Sequence, residues 1–154
     1  MNALFDLTGR VALVTGSSRR IGNALARALA DAEATVVLNG VNEERVQADL
    51  ARPTIAPYIA AKGGLRNLTR AMTAEWAASG LQINAVAPGY IHTEMTQNLV
   101  DDEEFNSWIL GRTPAHRWGT VEDLAGPVVW LASDGSNFVN GQTIFIDGGM
   151  TVVV

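Results

Sequence analysis

Residues Arg10 to Gly16, RVALVTG, form a short apolar run that stops at Thr-Gly, and the stretch after them, SSRRIGNALARALADAEA, places Ile21, Leu25, Ala28 and Leu29 at helical spacing. A buried strand that enters a glycine turn and leaves as an amphipathic helix has few ways to cover its apolar side chains. The next apolar run, TVVLNG from Thr35 to Gly40, predicts a second strand, and NEERVQADL begins a polar-faced helix. Strands joined through helices return in the same direction, so this order demands a parallel sheet and an α/β architecture.

Further along, ARPTIAP (Ala51 to Pro57) carries two prolines and reads as a loop. From Tyr58 to Ser79 the residues Ile59, Leu65, Leu68, Met72 and Trp76 share one helical face, and Gly80 is placed to end the helix. LQINAVAPG predicts a third strand and GQTIFIDGG a last one. Between them, the segment from Tyr90 to Gly119 is too apolar for a linker and too long for a plain loop, which points to a lid with short helices. Thr120 and Asp123 have capping-box spacing, so a helix follows them, kinked or restarted at Pro127.

At 154 residues, residues 1–154 make one domain. The net charge is −5 and no basic run exceeds Arg19-Arg20, which excludes the electrostatic footprint of a nucleic-acid or anionic-membrane binder. Partners are expected to be small molecules or other protein chains. The absence of cysteine removes thiolate metal sites, and His92 and His116 have no ligand spacing, so no metal is expected. The N-terminal MNALFDLTGR lacks a basic region followed by an apolar block, and no apolar run approaches the ~18 residues of a membrane span. A cytoplasmic protein is the expectation.

Three stretches carry chemistry. In APYIAAKGG, Lys62 is the only lysine of the chain and follows Tyr58 by four residues, one helical turn. A phenol has an ordinary pKa of about 10, and a neighbouring ammonium favours the phenolate, so the pair suits proton exchange with an alcohol or carbonyl oxygen. The same spacing also describes an ordinary solvated helix face. TGSSRRIG (Thr15 to Gly22) lies between strand and helix, where backbone N–H groups and the helix dipole favour a phosphate; it is either that or a plain turn. It lacks the Gly-Lys-Ser/Thr ending of a P-loop, so nucleotide hydrolysis is not suggested. APGYIHTEM (Ala87 to Met95) follows a strand, where α/β proteins place ligand loops and also ordinary Pro-Gly turns.

Taken in order, Thr-Gly-x-x-x-x-Ile-Gly, Tyr-x-x-x-Lys, Pro-Gly-x-x-x-Thr and a late Asp-Gly-Gly resemble the short-chain dehydrogenase/reductase family over nearly all of the chain. The resemblance implies a Rossmann-type doubly wound parallel sheet and NAD(P)-dependent hydride transfer between a secondary alcohol and a ketone, with a sugar acid or ketone as substrate. It implies Tyr58 as acid/base, and Lys62 as the group that lowers its pKa and holds the nicotinamide ribose. Gly16, Ser18, Ile21 and Gly22 would line the pyrophosphate and adenosine side, and Pro88, Gly89, Ile91 and Thr93 the nicotinamide. Asn39, where an acidic ribose clamp is usual, and Arg19, placed to meet a 2′-phosphate, favour NADP over NAD. By the same resemblance the assembly is a homo-tetramer.

Set against the family pattern, the chain is expected to have an internal deletion near residues 50 and 51, which makes the fold incomplete. The central strands, a catalytic asparagine and a catalytic serine belong to the block between NEERVQADL and ARPTIAPY, and Arg45 stands where the serine would fall. The strands on either side of the deletion must re-pair or leave their edges bare. Arg20 replaces the middle glycine of the phosphate turn, and Glu33 a glycine at the end of the first helix, where positive φ is favoured.

Overall fold

The computed structural model describes residues 3–17, 20–39 and 56–153. The deletion point near residues 50 and 51 and Arg45 lie outside the described residues. Strand β1 (Val11–Thr15) runs into helix α1 (Arg20–Asp31) and returns as β2 (Thr35–Asn39). Helix α2 (Ala56–Trp76) leads to β3 (Ala85–Pro88), two short helices α3 (Gln97–Val100) and α4 (Glu103–Arg112), α5 (Glu122–Ala132) and β4 (Thr143–Ile146). Both strand pairs are parallel, with Leu13 opposite Val37 in one and Val86 opposite Ile144 in the other.

Among the described residues the strands form two separate two-stranded sheets, β1-β2 and β3-β4. Of the two outcomes expected, re-pairing or bare edges, the second is seen: among the described residues β1 and β3 each keep one edge without a strand partner. Each pair is below the roughly three strands that a sheet needs for independent stability, so helices must supply the rest. Helix α1 does so on one face. Leu29 and Ala32, with Leu7 beneath them, pack against Ala12, Val14 and Val36, the side chains that alternation points inward. On the other face Val11 is 71% and Leu13 65% exposed, a bare apolar surface.

Helix α5 joins the halves. Val128 touches both apolar clusters, packing with Leu29 and Ala32 in one and with Leu25, Ile91 and Leu124 in the other. Leu124 is fully buried and sits beside Leu25 of α1 and Ile91 of the loop after β3. The apolar contact of α1 with α5 therefore replaces the missing sheet continuity.

Three local outcomes refine the sequence reading. Helix α2 starts at Ala56 rather than Tyr58, because a proline in the first helical turn has no intrahelical N–H bond to lose. Strand β3 is shorter than LQINAVAPG: the Ile83 N–H donates to Asn140 Oδ1 (2.8 Å) and the Asn84 side-chain amide to the Val139 carbonyl (2.8 Å), so side chains take the place of a ladder there. Helix α5 runs without interruption through Pro127.

The two positions where the family glycines are replaced keep a glycine-like backbone, with φ +49 at Arg20 and +73 at Glu33. A side chain there costs about 1–2 kcal/mol relative to the right-handed region. Because glycine also loses more chain entropy on folding, Glu33→Gly is expected to raise stability by a net ~0.5–1 kcal/mol, read as a higher midpoint in a thermal melt. Among the described residues no helix is long and apolar enough to cross a membrane.

Candidate active site

The described residues at the junction of β1 and α1 include one close backbone approach. Gly16 has φ +68, and Gly22 packs so closely on it that a Cβ at 22 would stand 2.1 Å from the Gly16 carbonyl oxygen. Ile21 is half-buried and packs with Leu25, Ile91 and Leu124, so its side chain anchors the turn to the core. Ser18 and Arg19 lie outside the described residues. Asn39 ends β2 beside Thr15, with its side chain outside them.

The loop after β3 is held from several sides. The Gly89 N–H donates to the Ile146 carbonyl (3.0 Å), and a Cβ on Gly89 would meet Asp147 Cβ at 2.7 Å. Pro-Gly and Asp-Gly-Gly are thus two halves of one close contact, a relation that their separation in sequence conceals. Partial burial opposes ionisation of Asp147, yet hydrogen bonds from Thr151 and from the Gly149 N–H outweigh it and hold its carboxyl below the ordinary range. Ile91 is 4% exposed, with its side chain in the core, so it anchors the loop. Thr93 and Thr96 form a reciprocal cap: the Thr93 N–H donates to Thr96 Oγ1 (2.8 Å).

Beyond this loop, Tyr90 stands at the centre of an aromatic cluster, edge-on to Phe105, Trp108 and Trp118 at centroid distances of 5.8, 6.3 and 5.7 Å. The Trp118 indole donates to Asn106 Oδ1 (2.7 Å). The cluster ties α4 to the loop after β3, so the expected lid is a packed element. Tyr90 and Trp118 belong to that packing, and His116 adopts φ +51 with Nδ1 3.1 Å from the Leu110 carbonyl oxygen. Arg112 closes α4 and is half-buried.

Arg117 reaches Asp123 with both terminal nitrogens, at 2.6 and 2.8 Å, and the Thr120 N–H donates to Asp123 Oδ2 (2.8 Å), the reciprocal half of the capping pair expected at the start of α5. The guanidinium first, and then the Thr120 N–H, hold the Asp123 carboxyl well below the usual carboxylate range. A group whose pKa is depressed in the folded chain stabilises above its unfolded value of about 3.9 and loses that contribution as pH falls further. Asp123→Ala is expected to destabilise the chain at neutral pH, because it removes the acceptor of the Arg117 and Thr120 bonds. In urea melts over a pH series its deficit should shrink once pH drops below about 4.

Helix α2 presents the Tyr-Lys pair differently from the loops. Its C-terminal half is docked: Thr69 is buried, and the Thr73 hydroxyl lies within hydrogen-bonding distance of the Ile83 carbonyl (3.1 Å) and Asn140 Oδ1 (3.2 Å). Residues 60–68, Lys62 among them, are all exposed, and a Cβ on Gly63 or Gly64 would meet nothing within 4 Å. Tyr58 lies four residues before Lys62 on the same helix, its side chain outside the described residues. Two cavities, of about 150 and 410 Å³, flank the Tyr90 and Asp147 wall. Among the described residues neither is lined by Gly16, Gly22 or Lys62. The structure therefore brings the Pro-Gly loop, Asp147 and α4 together, and places Lys62 on an exposed stretch of α2.

Comparison with known proteins gives a consistent picture. The family described as enoyl-(acyl carrier protein) reductase matches residues 45–151. A gluconate 5-dehydrogenase of Gluconobacter oxydans (strain 621H) is 58% identical over 112 residues, covering 73% of this chain and 44% of that protein. A 5-keto-D-gluconate 5-reductase of Escherichia coli (strain K12) is 46% identical over 134 residues, covering 87% and 52%. The chain spans about half the length of the curated relatives it matches. Among solved structures, a gluconate 5-dehydrogenase from Burkholderia cenocepacia J2315 in complex with NADP and tartrate superposes with a TM-score of 0.83 at 32% identity, covering 99% of both chains.

Proposed function

The chain belongs to the short-chain dehydrogenase/reductase family, and on that premise we propose that its inherited chemistry is hydride transfer between NADP(H) and a sugar acid of the gluconate and 5-ketogluconate type. In this 154-residue form it acts as a dinucleotide-binding remnant with turnover far below that of an intact member. The cofactor supplies the hydride, and the protein's share is placement and electrostatics.

The residues present fit a dinucleotide on the N-terminal side. The close contact of Gly22 with the Gly16 carbonyl and the positive φ of Gly16 give the tight strand-to-helix turn on which a pyrophosphate rests. Ser18 and Arg19 would complete that turn, with Arg19 at a 2′-phosphate and Asn39 lacking the negative charge that would repel one. Pro88, Gly89 and Thr93 would border the nicotinamide, with Ile91 as the buried anchor of their loop. Tyr58 would donate or accept the proton at the substrate oxygen, and Lys62 would hold the ribose and favour the phenolate.

Two observations support the low-turnover half: Lys62 lies on an exposed stretch of α2, and among the described residues β1 and β3 belong to sheets that share no strand. Proton transfer requires placement within hydrogen-bonding reach, and a loss of about 1 Å costs a hundredfold in rate. The expectation that this chain lacks the serine and asparagine of the family pattern points the same way. Bare apolar surface such as Val11 and Leu13 supports association of the chain with copies of itself or with intact relatives, up to the tetramer of the family pattern, which multi-angle light scattering reads. The binding half is tested by titrating the chain with NADPH and NADH in a calorimeter. Saturable binding tighter for NADPH is expected, and no heat with either cofactor refutes it.

A further inference from the structure

Two apolar faces stay exposed in the same chain. On the β1-β2 sheet, Leu13 is in register with Val37 and Val11 lies two residues before it, so the three share the face turned away from α1. Val11, Leu13 and Val37 are 71, 65 and 46% exposed. On α2, Leu65, Leu68, Met72 and Trp76 follow one another at helical spacing. This helix docks through Thr69 and Thr73, while Leu65, Leu68 and Trp76 remain 50, 52 and 43% exposed. A helix that buries threonine and exposes leucine has an apolar stripe that its own chain does not match.

We propose that a second copy of this chain covers these faces, with the α2 stripe of each copy lying on the β1-β2 face of the other. The inference rests on the self-association proposed above for Val11 and Leu13, and not on dinucleotide binding. Several features support it. Parallel sheets are covered by helices on both faces, and α1 covers only one face of β1-β2. The lengths agree: a strand of 5 residues extends ~17 Å, and the helical rise from Leu65 to Trp76 is also ~17 Å. Each copy carries one such sheet face and one such stripe, so a two-fold pair satisfies both and closes, with neither left over to propagate. Covered in both contacts, the exposed parts of these side chains amount to on the order of 1,000 Å², the threshold for a specific interface.

The test compares the full chain with Leu13→Lys and Leu68→Glu, each alone and the two mixed, by multi-angle light scattering over a concentration series. Both side chains are exposed, so the far-UV circular dichroism of the variants should match that of the wild type. The wild-type chain is expected at twice its 16.4 kDa, and each variant alone at 16.4 kDa. The equimolar mixture is expected to pair again, because one contact of the mixed dimer is unaltered and the other sets lysine against glutamate. A dimer of either variant alone, or a mixture that stays monomeric while the wild type pairs, overturns the helix-on-sheet contact and leaves self-association standing. A wild-type chain that is monomeric at every concentration overturns self-association and this contact with it. Titration of the same samples with NADPH reads the dinucleotide proposal separately.

Discussion

Gly22→Ala is expected to unfold the β1–α1–β2 half of the chain. The added Cβ would lie 2.1 Å from the Gly16 carbonyl oxygen and 2.7 Å from its carbon, both backbone atoms of a turn whose φ is already positive. No flexible side chain is there to yield, so either the turn opens or α1 shifts along β1 and β2. A shift would unseat Leu29 and Ala32 from Val14 and Val36. Forced overpacking ordinarily costs ~1–3 kcal/mol, and a clash with backbone belongs at or above the upper end. Against the ~5–15 kcal/mol of a whole domain, that is most of what a two-stranded sheet with one covering helix has to lose. A urea melt followed by far-UV circular dichroism should show a loss of about 3 kcal/mol or more. A loss below about 1 kcal/mol would mean that the turn is slack and not shaped for a phosphate.

Leu124→Ala is expected to uncouple the halves. Leu124 is fully buried between Leu25 of α1 and Ile91 of the loop after β3, in the apolar contact that bridges two sheets with no common strand among the described residues. Truncation of a buried leucine costs ~2–5 kcal/mol through lost contact and the cavity left behind. The interface concerned holds the chain together, so cooperativity should suffer along with stability. All four tryptophans, Trp76, Trp108, Trp118 and Trp130, lie in the second half, whereas circular dichroism reports on both halves. In the wild-type chain the two probes should follow one transition. In Leu124→Ala the dichroism change should precede the fluorescence change. Coincident transitions in the variant would place the joint elsewhere.

The fold is legible in the sequence where its causes are local. Ile21, Leu25, Ala28 and Leu29 mark α1 by spacing alone, and the apolar runs VALVT and TVVLN coincide with β1 and β2 as observed. Glu33 and Arg20 are legible as replaced glycines because their backbones keep the φ that made glycine useful. What is not legible depends on distant partners. The shortening of β3 needs Asn140, and the demand for glycine at 89 needs Asp147. The aromatic cluster around Tyr90 has no period in sequence, since Phe105, Trp108 and Trp118 reach it from a helix and a loop. The site divides in the same way. The turn and loop residues are recognisable one by one, whereas the exposure of Lys62 depends on tertiary packing that helical spacing does not encode.

In the function proposed, this chain keeps the cofactor-binding side of a dehydrogenase without the placement that turnover needs. The most direct measurement is the oxidation of NADPH by the purified 154-residue chain in the presence of 5-ketogluconate, alongside Tyr58→Phe. The account predicts calorimetric binding of NADPH by both proteins and no difference between them in the rate of NADPH loss. Turnover within the ~1–10³ s⁻¹ of ordinary enzymes that disappears in Tyr58→Phe would contradict it.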